Sequence, residues 1–270
     1  MQRAAAYGIL RHCSPRLYAR AKKILKSRFA EELGICVPRR INDRIVWTVP
    51  RATGMPAPEE HIVRWVSEIV QEGGTLFDVG AHCGFISIAA CHRVGRNGRV
   101  IAFEPSPVLS EVLGRHKRAN RLSQLQIVTK AVSNGSADRV PFFLVNGGLS
   151  FRNSLTIGDD NTPYIAKNQK TRCDVAAVTL DRFAEDSGIA PDLIKIDVEG
   201  AELRVLQGTE RVLGNFRPQL IVGVHPYWLP QSDTVEEIFR LLERHGYEVK
   251  DAHIELFDDT YLADYWCIPR

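Results

Sequence analysis

Residues 75–87 read TLFDVGAHCGFIS. An apolar run closes on Asp78, a glycine follows at position 80, and a second comes at 84. That order spells a buried strand, a tight turn and the start of a helix over 85–94. Glycines in such a turn let the backbone approach a ligand closely, and the helix start offers unpaired N–H groups to something anionic.

Outward from this stretch the same pattern repeats. RVIAFEP (99–105) is the next strand, PVLSEVLGRHKRAN (107–120) the next helix, and LQIVTKAV (125–132) a third strand. Residues 133–170 interrupt it with Ser, Asn, Gly and Asp around an apolar island, VPFFLV at 140–145, read as a strand or hairpin. The polar loop 146–170 that follows has the length of a lid over the acceptor. RCDVAAVTL resumes the pattern, followed by a strand at 192–197, a helix at 199–213, a strand at 218–225, a helix at 233–245, and short strands near 247–251 and 263–268. On the N-terminal side lie a strand at 44–49 and a helix at 60–72. Strands alternating with helices predict an α/β fold: a doubly wound, mostly parallel sheet with helices on both faces. The apolar runs LFDV, VIAF, LIKI and LIVGV suit strands covered on both sides.

The chain divides into an N-terminal basic helical extension with a short strand (1–59) and one domain (60–270). Of its net charge of +3 over 270 residues, residues 1–40 hold ten Lys and Arg against Glu31 and Glu32, so the remainder is acidic. An acidic body is not that of a nucleic-acid binder. Residues 15–33 place Leu17, Ala21, Ile24, Leu25, Phe29 and Leu33 on one helical face and Lys and Arg on the other. Such a helix can dock on the domain or lie on an anionic membrane as a peripheral contact. The six cysteines, at 13, 36, 83, 91, 173 and 267, form no C-x-x-C pair, as expected of reduced thiols in a cytoplasmic protein.

In a doubly wound sheet, ligands bind beyond the carboxyl ends of the strands. Those ends carry Asp78 and Gly80, then Glu104, then Asp197 and Glu199, then His225. The dinucleotide fingerprint G-x-G-x-x-G fails because His82 stands where the second glycine belongs. Glu104 follows Gly84 at the spacing of an acid that accepts hydrogen bonds from ribose hydroxyls. A ligand with a ribose and a carboxylate but no phosphate fits, and S-adenosylmethionine is such a ligand. Its positive charge also accounts for an acid at position 78.

With FDVGAHCGFIS (77–87), AFEPSP (102–107), VTLDRF (178–183) and LIKIDVEGAELRVLQG (193–208), the sequence resembles the FkbM family of S-adenosylmethionine-dependent methyltransferases. The resemblance implies a class I methyltransferase fold: a seven-stranded sheet whose last strand is antiparallel. It places Asp78, Gly80, Ala81 and Gly84 around the methionine part, Glu104 at the ribose, and 130–134 beside the adenine. On the acceptor side it aligns Asp197, Glu199, Glu202 and His225. Gly223 stands where family members often carry a glutamate, and Cys83 where they often carry an asparagine.

The implied activity is methyl transfer to a hydroxyl of a small molecule, glycan or lipid. An attacking hydroxyl must lose its proton, so a base is needed near the methyl. Asp197 and His225 are the candidates, and His225 is the better base by its ordinary pKa of about 6.5. Glu199, opening the helix over 199–213, is a third catalytic candidate or a first-turn dipole residue; Glu202 reads equally as a surface charge. Asp197, Glu199 and His225 are also types that ligate divalent ions, although no metal is assigned. The rival reading is a catalytically silent binding module that uses the basic N-terminal helix for a partner or membrane surface.

Overall fold

The computed structural model describes residues 36–41, 44–50, 52, 58–145, 147, 153, 155, 170–257 and 260–270. The basic helix expected at 15–33 and most of loop 146–170 lie outside the described residues.

Five parallel strands form the body of the main sheet: β3 (Thr75–Val79), β4 (Arg99–Phe103), β5 (Leu125–Val128), β9 (Leu193–Ile196) and β10 (Gln219–Val224). A final hairpin, β11 (Tyr247–Phe257) and β12 (Thr260–Pro269), completes it in the order β11-β12-β10-β9-β3-β4-β5. β12 pairs antiparallel with both β10 and β11, so the sheet has seven strands and an antiparallel last strand. The hairpin strands run well past the short segments expected from the sequence. A separate three-stranded sheet sets β8 (Lys170–Val178) between β6 (Ala131–Val132) and β7 (Arg139–Val145). The third strand expected over 125–132 is therefore two strands belonging to different sheets.

The helices lie on both faces, as a doubly wound fold requires. One core joins α1 (Glu60–Ile69), α2 (Phe85–Val94) and α3 (Pro107–Asn120) around Trp65, Ile88 and Leu113. The other packs α4 (Leu180–Ser187), α5 (Glu202–Gln207), α6 (Glu210–Asn215) and α7 (Val235–Arg244) around Phe77, Phe103, Leu206 and Ile238. Local chemistry starts these helices. Ser106 accepts from the Leu109 N–H with Pro107 in the first turn, and Thr234 with Glu237 forms a capping box. The helix expected over 199–213 is instead two short helices. Gly208 separates them at a point where a Cβ would overlap the Ser133 carbonyl, so β6 is packed tightly against the break.

The hairpin of β1 (Val37–Ile41) and β2 (Arg44–Thr48) belongs to the first core through Val46, as does Val49 just after it. The two amide groups of Trp47 bond to the side chain of Asn120 on α3. Buried His116 accepts from the Val49 N–H at 3.0 Å and donates from Nδ1 to the Cys83 carbonyl at 2.8 Å. One imidazole thus ties the segment before residue 60 to the glycine turn. Among the described residues, no helix is long and apolar enough to cross a membrane.

Candidate active site

The chain leaves β3 for β4 and β5 on one side and later returns to β9 on the other, so the sheet order reverses beside β3. A cavity of about 300 Å³ lies at the carboxyl ends of these strands. Gly80, Ala81, Glu104, Asp197, Glu199 and His225 all line it.

At one end the turn after β3 makes the wall. Gly80 has φ 79°, and a Cβ there would overlap the Asp197 carbonyl, so the glycine lets two strand ends close together. Gly84, at φ 84°, serves a different contact: a Cβ would collide with Leu113 of α3. Gly84 therefore sets helix packing and is not among the residues facing the cavity. Glu104 accepts from the His82 N–H through one oxygen and the Ser106 N–H through the other, both at 2.8 Å. Burial pushes its carboxyl up to about 7, against those two bonds, which favour the charged form. Phe103, at the end of β4, and Lys130, Ala131 and Val132, which follow β5, continue this wall.

Asp78 is fully buried beneath the cavity rather than on its surface. One of its oxygens accepts from Ser87 Oγ at 2.5 Å, and the other lies 3.6 Å from Lys195 Nζ with no hydrogen-bond partner among the described residues. Lys195 sits opposite Asp78 on the neighbouring strand and also reaches Asp197 Oδ2 at 3.0 Å. Burial disfavours its charge, but Asp197 and Asp78 outweigh that and hold it protonated, above the ordinary lysine range. The motif acid near the end of β3 and the motif acid after β9 are thus joined by one buried cation.

The other end holds the acceptor-side residues. His225 Nδ1 is 2.9 Å from Glu202 Oε1, and Nε2 is 3.7 Å from Asp197 Oδ1. Glu202 is fully buried and also accepts from the Gly200 N–H, so it is no surface charge. Glu199 does not open a helix: it takes left-handed backbone at φ 53°, as does His82, which also lines the cavity, at φ 54°. Such conformations persist where surrounding structure enforces them, often at functional sites.

Charges here differ from what free side chains would show. Burial alone would lower the His225 imidazole, but Glu199, Glu202 and Asp197 raise it to about 10. The expectation that His225 titrates near neutrality is corrected: three carboxylates surround the ring and keep it cationic. Asp197 lies deep in the fold yet keeps 37% of its side chain open to the cavity. Burial opposes its charge, while Lys195 and His225 hold its carboxyl below the ordinary range. Ligand atoms of Asp197, Glu199 and His225 lie within 4.8 Å of one another. That set could close on a divalent cation only by displacing the His225 proton.

Sequence reading missed Lys195, although a lone lysine inside the apolar run LIKI was its signal. It also missed the residues that extend the cavity from α1 and the last hairpin: Glu59, His61, His253, Glu255 and Asp264. The alternation in DAHIELF (251–257) was the signal there, since it puts His253 and Glu255 on one face of a strand.

The family model described as Methyltransferase FkbM domain matches residues 78–249. The 31-O-demethyl-FK506 methyltransferase FkbM of Streptomyces tacrolimicus is 29% identical over 214 residues, covering 71% of this chain and 79% of that protein. The hexuronic acid methyltransferase AglP of Haloferax volcanii is 25% identical over 192 residues, covering 67% of this chain and 66% of that protein. A solved structure of a methyltransferase FkbM from Methylobacillus flagellatus KT superposes with a TM-score of 0.44 at 15% identity, covering 75% of this chain and 50% of that one.

Proposed function

The chain belongs to the FkbM family of S-adenosylmethionine-dependent methyltransferases, and we propose that it methylates a hydroxyl of a small molecule or sugar, with Asp197 as proton acceptor. One observation carries this reading. The same cavity holds a buried carboxylate suited to a ribose at one end, Glu104, and at the other Asp197 beside His225, 3.7 Å apart, with His225 hydrogen-bonded from behind by buried Glu202.

The residues fit the cofactor on the structure's own terms. Glu104 faces the cavity with a carboxyl that burial keeps from ionising freely, and two hydroxyl donors would stabilise its charged form. The turn at Gly80 and Ala81 presents backbone rather than side chains, as an amino-acid moiety lying along it requires. When bound, S-adenosylmethionine supplies an electrophilic methyl group on a positively charged sulfur.

The remaining work belongs to the protein. Asp197 lines the cavity, and its Oδ1, the oxygen that Lys195 does not hold, accepts a hydrogen bond from the acceptor hydroxyl, orienting its oxygen for in-line attack. As that oxygen gains a methyl group its proton becomes far more acidic than a carboxylic acid, so a carboxylate held below its usual range is still a competent acceptor. His225, already protonated, cannot take this proton; it fixes Asp197 and is itself held by Glu202. Glu199 adds to the negative potential that keeps His225 charged. The catalytic centre and the relatives do not favour a silent binding module.

Asp197→Asn and His225→Ala separate these roles. Asp197→Asn is expected to lower kcat by about 10²–10⁴-fold while S-adenosylmethionine binding by calorimetry changes little. Turnover equal to wild type in Asp197→Asn would remove the assignment.

A further inference from the structure

The cavity continues past Asp197 into a wall that the mechanism does not use. Across three adjacent strands, Gly223 on β10 is paired with Asp264 on β12, and Asp264 with His253 on β11. The three positions form one row on one face of the sheet. A Cβ on Gly223 would lie 3.1 Å from His225 Cε1, 3.2 Å from Asp264 Oδ1 and 3.6 Å from Asp197 Cβ. The missing side chain thus opens the space in which the Asp264 carboxylate meets the Asp197–His225 pair. Glu255, two residues beyond His253, lines the same face.

From the other side, the start of α1 closes the wall. His61 Nε2 is 2.7 Å from Asp264 Oδ2, and its ring stacks on His253 at 3.9 Å between centroids. His253 Nε2 in turn is 2.8 Å from Glu255 Oε1. Glu59, just before α1, borders the cavity beside them. Side chains bonded to one another in this way hold their positions before any ligand arrives, the condition for selective binding.

Given the methyl-transfer reading, on which this rests, we propose that Glu59, His61, His253, Glu255 and Asp264 form the acceptor-binding wall and select a neutral or amine-bearing polyol over one carrying a carboxylate or phosphate. Carboxylates and imidazoles are suited to closely spaced hydroxyl groups, since between them they accept and donate. The charge balance decides the rest. Lys195 and His225 are engaged with Asp78, Asp197 and Glu202, which leaves the Asp264 and Glu255 carboxylates, each beside an imidazole, as the charge this wall itself presents. An anionic acceptor would meet like charge at these two carboxylates, the repulsive element on which discrimination often depends.

The test uses the full chain with S-adenosylmethionine and three matched acceptors: methyl glucoside, methyl glucosaminide and methyl glucuronide. Demethylated cofactor is measured as product. The neutral and amino sugars are expected to turn over with kcat/KM on the order of a hundredfold above the glucuronide, as a single uncompensated like-charge contact is enough to produce. Glu255→Lys, at a side chain that is 66% exposed and so free to change without unfolding the domain, should raise glucuronide kcat/KM at least about tenfold, through a lower KM. Asp264→Asn should move the ratio in the same direction. In both variants S-adenosylmethionine should bind as in wild type. Equal use of glucoside and glucuronide by wild type, an unchanged ratio in both variants, or no turnover of any sugar by a chain that binds the cofactor would overturn the proposal. Failure of wild type to bind S-adenosylmethionine would instead overturn the methyl-transfer reading beneath it.

Discussion

Replacing Glu104 by Gln tests the donor end of the site by removing one charge without changing shape. Both carboxylate oxygens are engaged, one with the His82 N–H and one with the Ser106 N–H. A glutamine keeps only one acceptor oxygen, so its NH₂ group must face one of those two donors. It also loses the charge that would accept two ribose hydroxyls. Hydrogen bonds to a charged group contribute about 1.5–3 kcal/mol each, and part of that is recovered through the remaining amide oxygen. A net loss of about 2–4 kcal/mol corresponds to about 30- to 1,000-fold weaker S-adenosylmethionine binding. The pH dependence sharpens the test. Because burial raises Glu104 to about 7 in the free protein, binding a ligand that needs the carboxylate must release a proton below that pH. Wild-type Kd should therefore weaken about tenfold per pH unit below 7 and level off above it. The Glu104→Gln variant should show no such slope. Calorimetry from pH 5.5 to 8.5, in buffers of differing ionisation enthalpy, reads both affinity and proton release. Binding of the variant within threefold of wild type, or a flat wild-type profile, would refute the reasoning.

Three further outcomes follow from the same structure. Lys195→Met leaves Asp78 buried without a counter-charge and should cost about 3–5 kcal/mol of stability; a loss below 1 kcal/mol in urea unfolding would show that Asp78 does not depend on it. His116→Leu strands the Val49 N–H and the Cys83 carbonyl, at about 1–3 kcal/mol each. Because burial lowers wild-type His116 from 6.5 to about 4, its stabilising contribution is complete above pH 6.5 and is lost as pH falls through 4; unfolding at pH 7 and pH 5 should show the variant's deficit shrinking at the lower pH. Finally, Lys195 and protonated His225 already balance the acids around Asp197, so EDTA should leave kcat unchanged, whereas a loss restored by Mg²⁺ or Mn²⁺ would reassign Asp197, Glu199 and His225 as metal ligands.

Much of this architecture was legible from local pattern. The strand–turn–helix around Asp78, Gly80 and Gly84 follows from apolar run and glycine placement, and the parallel order follows from strands buried on both faces. What escaped was whatever depends on residues distant in sequence. The turn pattern alone places Gly84 toward a ligand, but its bare backbone accommodates Leu113, nearly thirty residues later. The sequence offers only an ordinary pKa for His225, which the convergence of Glu199, Glu202 and Asp197 raises. Glu202 looked like a surface charge because helix position alone does not reveal that a strand-end imidazole comes to meet it. The acceptor wall was hidden for a related reason: α1 and the β11–β12 hairpin lie almost two hundred residues apart, and only the placement of β12 beside β10 brings Asp264 to His61.

The most direct test of the account is a crystal structure of the chain with S-adenosylhomocysteine. The account predicts ribose hydroxyls on Glu104, the amino-acid part along Gly80 and Ala81, and the sulfur directed toward Asp197 and His225. A nucleoside seated elsewhere, or a sulfur turned away from Asp197, would contradict it.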